Sequence, residues 1–207
     1  MSVQVKICGL TNAAEAQAAA AAGADLIGFM FYERSPRHVS LDRAAEIAGQ
    51  LAPSVVRVGV FVNPSRELVA EAIARCGLNL LQFHGEESPE FCTQFGLMTM
   101  KAFRVRDRES LKGLPAYSTD AWLLDAFTPG QLGGTGERFN WDLAAEAGRL
   151  GRPIFLAGGL TPENVAEAVR RARPFGVDVS SGVESAPGRK DPAKVRAFIA
   201  AAKAASA

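Results

Sequence analysis

Hydrophobic and polar positions alternate in blocks along the whole chain. Short apolar runs of strand length are separated by longer stretches rich in Ala, Glu, Arg and Leu, which favour helix. The runs predict strands over residues 3–7, 26–31, 55–62, 80–83, 98–103, 122–124, 154–157 and 177–179. The intervening stretches predict helices over residues 12–22, 41–51, 66–76, 89–95, 142–150, 162–171 and 192–202, and a short, weak one over 107–112.

Start signals support several of these helices. A polar residue that can cap the first turn, or a proline that fits at the first helical position, precedes the apolar periodicity. These signals are Thr11-Asn12, Ser40 with Asp42, Ser65, Ser88-Pro89 and Thr161-Pro162.

Eight strands in strict alternation with eight helices indicate parallel pairing through right-handed crossovers. The 207 residues leave about 26 for each unit, close to the minimum for a closed barrel. We therefore predict an α/β protein, a single (β/α)8 TIM barrel with a closed parallel sheet, forming one domain over residues 1–207. An open doubly wound sheet is the alternative, but no glycine fingerprint follows the first strand.

In such barrels the chemistry lies at the carboxyl ends of the strands. Because side chains alternate between the two faces of a strand, Lys6 and Cys8 should point into the barrel while Val5 and Ile7 face the helices. The same alternation directs Gln82 with His84, Leu123 with Asp125, and Asp178 with Ser180 into the lumen. Cysteine, histidine and two aspartates on one lumen are unusual for a packing core.

Each of these residues also has a plain structural interpretation. Cys8 can be a small core residue, as we expect for Cys76 and Cys92 in helices. Asp178 can pair with Lys6, because strands eight and one are neighbours in a closed barrel. His84 can satisfy a backbone hydrogen bond, and an Asp at a strand end often caps the next loop. Their convergence on one face favours a functional site.

Glycine-bearing segments follow the last three predicted strands. Gly158-Gly159 and Ser180-Ser181-Gly182 stand at the ends of strands seven and eight, where barrels often bind phosphate through backbone N–H groups. Gly133-Gly134-Thr135-Gly136 lies in a long loop, residues 127–140, which we predict to be a mobile lid. No nucleotide fingerprint occurs, so the expected phosphate belongs to a substrate.

The loop after strand two carries Arg34, Arg37 and His38. A guanidinium has the planar fork that suits a carboxylate, although a single Arg is more often a solvated surface charge.

Composition narrows the class of protein. Lys and Arg number 23 against 22 Asp and Glu, so bulk charge does not support nucleic-acid binding. A hydrophobic content of 48% with low net charge can bury a core. No apolar run reaches membrane-spanning length and the N-terminus has no signal-peptide pattern. The three cysteines lack metal-ligand spacing, which indicates a reducing, cytoplasmic location.

The motifs together resemble phosphoribosylanthranilate isomerase of tryptophan biosynthesis. The resemblance covers essentially the whole chain, in order. It rests on the segments Val5-Lys6-Ile7-Cys8-Gly9-Leu10-Thr11, Gly28-Phe29-Met30-Phe31 with Ser35-Pro36-Arg37, Val58-Gly59-Val60-Phe61-Val62-Asn63, Gln82-Phe83-His84-Gly85-Glu86-Glu87, Leu123-Leu124-Asp125, Gly133-Gly134-Thr135-Gly136, Ala157-Gly158-Gly159-Leu160 and Val177-Asp178-Val179-Ser180-Ser181-Gly182-Val183-Glu184.

The resemblance implies an Amadori rearrangement of N-(5-phosphoribosyl)anthranilate to 1-(2-carboxyphenylamino)-1-deoxyribulose 5-phosphate, without metal or cofactor. It makes Asp125 the general acid that opens the ribose ring, and Cys8 the general base that removes the C2′ proton. It makes Arg37 the anchor of the anthranilate carboxylate. The phosphate site would comprise backbone groups of Gly158, Gly159, Ser180, Ser181 and Gly182. From their inward positions alone, without the resemblance, we expect His84, Asp178 and Lys6 to lie around the catalytic pair.

Two other functions stay open on the residues alone. A related barrel isomerase of histidine biosynthesis resembles this chain but uses a carboxylate at the strand-one position, where this sequence has Cys8. A barrel that binds a phosphorylated sugar without turnover is the second. We expect a small phosphorylated substrate, no nucleic-acid or membrane partner, and a monomer or homodimer.

Overall fold

The computed structural model describes residues 2–126 and 141–206, so the predicted lid, residues 127–140, lies outside the described residues. Eight strands form a closed barrel in which each strand pairs with its sequence neighbours, all in parallel. The strands are β1 Gln4–Cys8, β2 Leu26–Met30, β3 Val56–Phe61, β4 Leu80–Phe83, β5 Met98–Val105, β6 Ala121–Ala126, β7 Ile154–Leu156 and β8 Gly176–Val179. The pairing of β1 with β8 places Lys6 opposite Asp178 and closes the sheet. The predicted (β/α)8 barrel is confirmed.

Helices alternate with the strands and cover the outside of the barrel. They are α1 Ala13–Ala21, α2 Leu41–Ala48, α3 Arg66–Cys76, α4 Pro89–Thr93, α5 Trp141–Gly148, α6 Val165–Ala172 and α7 Pro192–Ala205. The side chains of Asn12, Ser40, Ser65 and Ser88 each accept a backbone N–H of the first turn, which confirms these predicted helix starts. No helix within residues 2–126 and 141–206 combines the length and apolarity needed to cross a membrane.

Two predicted helices differ in the structure. The weak fifth one is a 3-10 turn, Arg108–Leu111, closed by a capping box on Asp107 and followed by a second 3-10 turn, Leu114–Ala116. The helix expected from Thr161-Pro162 begins only at Val165, because Asn164 accepts the N–H of Thr161 and holds the preceding residues in a turn.

The alternation of side chains between the two faces of each strand divides the hydrophobic core into two layers. The outer layer, between sheet and helices, contains Ile7, Phe83 and Leu124, whereas the lumen is filled by a separate cluster. That inner cluster consists of Cys8, Leu26, Val58, Val60, Leu80, Met100, Ala102, Ala121, Leu123, Phe155 and Ala157. The predicted inward and outward faces of β1, β4 and β6 are therefore confirmed.

A small antiparallel hairpin follows β8 and was not expected from the sequence. After the 3-10 turn Ser181–Val183, β9 Glu184–Ala186 pairs with β10 Arg189–Lys190. The hairpin lies beside the carboxyl end of the barrel because the backbone N–H of Lys190 donates to Glu15 of α1 and Thr11 donates to the carbonyl of Gly188.

Candidate active site

A single cavity at the carboxyl end of the barrel collects nearly all the site residues predicted from the sequence. Lys6 is the exception and lies beneath the cavity, completely buried. The cavity is lined by Cys8, Arg37, His84, Asp125, Gly158, Gly159, Asp178, Ser180, Ser181 and Gly182, among others. Arg34 also lines it, whereas His38 does not.

Cys8 stands at the top of β1 above a buried ion pair. Lys6 Nζ lies 2.8 Å from Asp178 Oδ1, which confirms the pairing considered for these neighbouring strands. Burial alone would lower the pKa of Lys6, but Asp178 and Cys8 outweigh it and the pKa is raised. Lys6 is therefore a fixed cation directly below the thiol.

Burial raises the pKa of the Cys8 thiol above its usual 9.0, and the carboxylate of Asp178 adds to the shift. Lys6 and, to a smaller extent, Lys190 act in the opposite direction. The resting group is thus a thiol, and the two ammonium groups are what would stabilise the thiolate once its proton leaves.

Gly28 makes room for this arrangement. It pairs with Cys8 across β1 and β2, and a Cβ built on it would lie 2.9 Å from Cys8 Sγ and 3.2 Å from Lys6 Nζ. Any larger residue would have to displace the thiol or the ammonium, so the absence of a side chain at Gly28 sets the position of Cys8.

Asp125 ends β6 on the other side of the cavity and faces His84. His84 Nε2 lies 3.4 Å from Asp125 Oδ2, and the amide nitrogen of Gln82 lies 3.0 Å from His84 Nδ1. A Gln82 amide nitrogen that donates to Nδ1 leaves the ring hydrogen on Nε2, directed at Asp125.

The two glycine loops, Gly158-Gly159 and Ser180-Ser181-Gly182, line the cavity at the ends of β7 and β8. Gly158 and Gly159 adopt left-handed conformations with φ of 82° and 65°, and a Cβ at Gly182 would collide with the carbonyl oxygen of Leu160. Among the described residues, no backbone hydrogen bond outside the helices and strands uses the N–H groups of Gly158, Gly159 or Gly182. Three backbone donors with little side chain in the way are suited to an anion.

A short helical turn lies at the second glycine loop. It is the 3-10 turn Ser181–Val183, and Glu184 already belongs to β9. Its first two residues, Ser181 and Gly182, therefore belong to the glycine loop itself.

Arg37 lies at the rim between Cys8 and the hairpin, and its guanidinium is already paired. Nε and Nη2 each donate to Glu184, to Oε1 and Oε2 at 2.8 Å. Burial alone would raise the pKa of Glu184, but Arg37 and Lys190 lower it overall, so the carboxylate stays ionised. Lys190 donates to the same carboxylate at 2.7 Å.

Sequence reasoning missed four contributors to this site: Gly28, Gln82, Glu184 and Lys190. Gln82 was placed on the inward face, and its partnership with His84 follows from the i, i+2 spacing on one strand. Gly28 and Glu184 stood within recognised motifs but carried no chemical signal of their own. No sequence signal pointed to Lys190, whose burial depends on the hairpin.

Comparison with known proteins agrees with this geometry. The family model for N-(5′-phosphoribosyl)anthranilate (PRA) isomerase matches residues 5–201. The N-(5′-phosphoribosyl)anthranilate isomerase of Trichlorobacter lovleyi is 52% identical over 97% of this chain and 98% of that protein. The crystal structure of phosphoribosyl anthranilate isomerase from Thermotoga maritima superposes with a TM-score of 0.93 at 41% identity, covering 98% and 99% of the two chains. A structure of such an isomerase with reduced 1-(o-carboxyphenylamino)-1-deoxyribulose 5-phosphate superposes with a TM-score of 0.89 at 39% identity, covering 98% of this chain and 99% of the other.

Proposed function

The chain belongs to the N-(5′-phosphoribosyl)anthranilate isomerase family, and on that premise we propose how its residues carry out the reaction. The protein is an aldose-ketose isomerase of tryptophan biosynthesis that converts N-(5-phosphoribosyl)anthranilate to 1-(2-carboxyphenylamino)-1-deoxyribulose 5-phosphate. The observation that carries the assignment of roles is that Cys8, Asp125, Arg37 and the glycine loops face one cavity.

Ring opening is the task of Asp125. Its carboxyl proton passes to the ribose ring oxygen as the C1′–O bond breaks, which leaves the Schiff base and a carboxylate on Asp125. The ring hydrogen on His84 Nε2 then hydrogen-bonds this carboxylate, and Gln82 keeps that hydrogen on the correct nitrogen.

Proton abstraction is the task of Cys8. The iminium of the Schiff base makes the C2′ proton acidic. The Cys8 thiolate takes up this proton, the C2′–H electron pair forms the C1′–C2′ double bond, and the C1′–N π pair returns to the nitrogen to give an enolamine, which tautomerises to the ketone. Lys6 beneath Cys8 stabilises the negative sulfur that accepts the proton. One group donates and the other accepts, from different walls of the same cavity.

The positions of the glycine loops and of Arg37 determine the orientation of the substrate. The phosphate accepts hydrogen bonds from the backbone N–H groups of Gly158, Gly159 and Gly182 and lies against the loop of Ser180 and Ser181. The aromatic carboxylate lies towards Arg37, which places the ribose between Cys8 and Asp125.

Turnover of the purified protein on freshly prepared phosphoribosylanthranilate tests the assignment. The anthranilate fluorescence of the substrate should fall with time in the absence of added metal or cofactor. Binding without turnover would favour the non-catalytic barrel, and turnover of only the histidine-pathway aminoimidazole substrate would favour the related isomerase.

Three further properties belong to the same proposal. We propose one catalytic domain over residues 1–207, a cytoplasmic location, and a monomer or homodimer. The first is supported by one barrel that includes both β1 and β8, and the second by the free thiols of Cys8, Cys76 and Cys92. Light scattering on the purified protein distinguishes monomer from dimer.

Replacing Arg37 with Ala should act mainly on substrate recognition. Charge-assisted hydrogen bonds contribute roughly 1.5–3 kcal/mol, so KM should rise about 10- to 150-fold. The carboxylate is present in ground and transition states alike, so kcat should fall much less. Arg34→Ala is the matched control, because Arg34 lies in the same loop and lines the same cavity. An unchanged KM in the Arg37 variant would show that Arg37 does not bind substrate.

Replacing Gly159 with Asp should weaken phosphate binding. The new carboxylate repels the anion and blocks backbone approach, so KM should rise at least about tenfold and inhibition by inorganic phosphate should weaken correspondingly. Gly151→Asp controls for backbone strain, because Gly151, like Gly159, has a positive φ (88°). Gly151 precedes β7, away from the cavity, and no atom lies within contact distance of a Cβ built on it. Equal effects of the two substitutions would contradict the phosphate assignment.

A further inference from the structure

We propose that Glu184 is a positioning residue for Arg37: held in place by Lys190, its carboxylate occupies one edge of the guanidinium and leaves the other edge for the carboxylate of the substrate. This inference rests on the proposed function and deepens it, because it identifies what makes the site selective for a carboxylated aromatic amine.

The geometry of the Arg37–Glu184 pair carries the argument. Nε and Nη2 both donate to the carboxylate at 2.8 Å, a two-bond fork that fixes the plane and rotation of the guanidinium. No described residue accepts a hydrogen bond from Nη1. The edge formed by Nη1 and the second hydrogen of Nη2 is therefore left for another planar, two-oxygen group.

The surroundings of Arg37 hold its side chain in this position. A Cβ on Gly9, which has φ of 75°, would lie 2.6 Å from Arg37 Cδ, so the side chain lies tightly over a bare backbone. On the hairpin, a Cβ on Gly188 would lie 2.8 Å from the carbonyl oxygen of Pro36. The hairpin that carries Glu184 thus packs directly against the loop that carries Arg37.

Lys190 adds a second positive charge to the Arg37–Glu184 pair. Its Nζ is 2.7 Å from Glu184 Oε1, and its side chain is only 1% exposed. Arg37, Glu184 and Lys190 together carry two positive charges and one negative charge. The carboxylate can therefore orient the guanidinium while the cluster still attracts an anionic ligand.

Lys190 also connects the carboxylate end of the site to the phosphate end. It donates to the carbonyl oxygen of Ser180 at 3.1 Å and to its Oγ at 3.3 Å, and Ser180 Oγ in turn donates to the carbonyl of Cys8 at 3.1 Å. The cluster therefore sets the spacing between the group that binds the carboxylate and the loop that binds the phosphate.

Glu184→Gln is the test, measured with two ligands. The first is the reduced product analogue that carries the aromatic carboxylate, and the second is the same molecule with a phenyl ring in place of the carboxyphenyl. Gln keeps the shape but cannot accept both hydrogen bonds of the fork. The affinity for the carboxylated ligand should fall about tenfold and that for the phenyl ligand should stay within about twofold. The ratio of the two affinities on one sample is independent of any unfolded fraction.

A double-mutant cycle separates a positioning role from a purely structural one. In an Arg37→Ala background, Glu184→Gln should cause no further loss of carboxylate discrimination, since Glu184 acts through Arg37. Glu15→Gln is the matched control, because Glu15 holds the same hairpin through the N–H of Lys190 without touching Arg37.

Equal losses for both ligands, unchanged discrimination, or additive effects of the two substitutions would each overturn the inference. The outcome is distinguishable from failure of the proposed function, which would appear as absent turnover in the unaltered protein. Turnover in the unaltered protein with unchanged discrimination in Glu184→Gln would reject the inference alone.

Discussion

Cys8→Ala should lower kcat by about 10²- to 10⁴-fold while leaving the affinity for the reduced product analogue nearly unchanged. The thiolate is the proposed base for the C2′ proton, and Cys8 lines the cavity directly above the buried Lys6–Asp178 pair. The measurement is single-turnover loss of anthranilate fluorescence, with analogue binding measured on the same preparation.

Cys76→Ala and Cys92→Ala are the matched controls for the Cys8 experiment. Both thiols are buried in helices, away from the cavity, where burial also raises the thiol pKa, in Cys92 to about 12. These variants should retain normal kcat. A near-normal kcat in Cys8→Ala would instead return Cys8 to the role of a small core residue.

If the Cys8 thiolate is the base, kcat should depend on pH. The pKa of Cys8 is raised, chiefly by burial, so the thiol form dominates at neutral pH and the thiolate fraction grows as the pH increases. When proton abstraction limits the rate, kcat should therefore rise between about pH 7 and about pH 9. A kcat that is flat or falls over this range would contradict a thiolate base.

Asp125→Asn should remove most of the activity for a different reason. The amide keeps the shape and can still face His84, but it cannot transfer a proton to the ring oxygen, so kcat should fall by about 10²- to 10⁴-fold. Folding should be retained, because Asp125 makes no ion pair other than its contact with His84 among the described residues.

Asp120→Asn is the matched control for Asp125. Asp120 immediately precedes the same strand and accepts the N–H of Thr99 at the other end of the barrel, so its replacement should leave kcat unchanged. If Asp125→Asn opened the ring at the rate of the unaltered enzyme, the acid would have to be another group, and Asp178 and His84 would be the next candidates.

The secondary structure and the lumen were predictable because their signals are local. Alternation of side chains along a strand decides which face a residue takes, so Lys6, Cys8 and Asp125 could be directed inward from their own segments alone. Asn12, Ser40, Ser65 and Ser88 cap the turn that follows them, a contact spanning three residues. The carboxyl ends of all parallel strands lie at the same end of the barrel. Segments far apart in sequence could therefore be predicted to meet in one cavity.

The order of elements, the closed barrel and the residues at its carboxyl end could therefore be predicted from sequence. The three-dimensional packing was needed to show that Arg37 donates two hydrogen bonds to Glu184, 147 residues away, and that Lys190 is buried between this pair and Ser180. It also decided that Thr161-Pro162 leads into a turn before α6. The physical reason is that strand faces and caps depend on neighbours in sequence, whereas the partners of long charged side chains depend on which loops pack together in space.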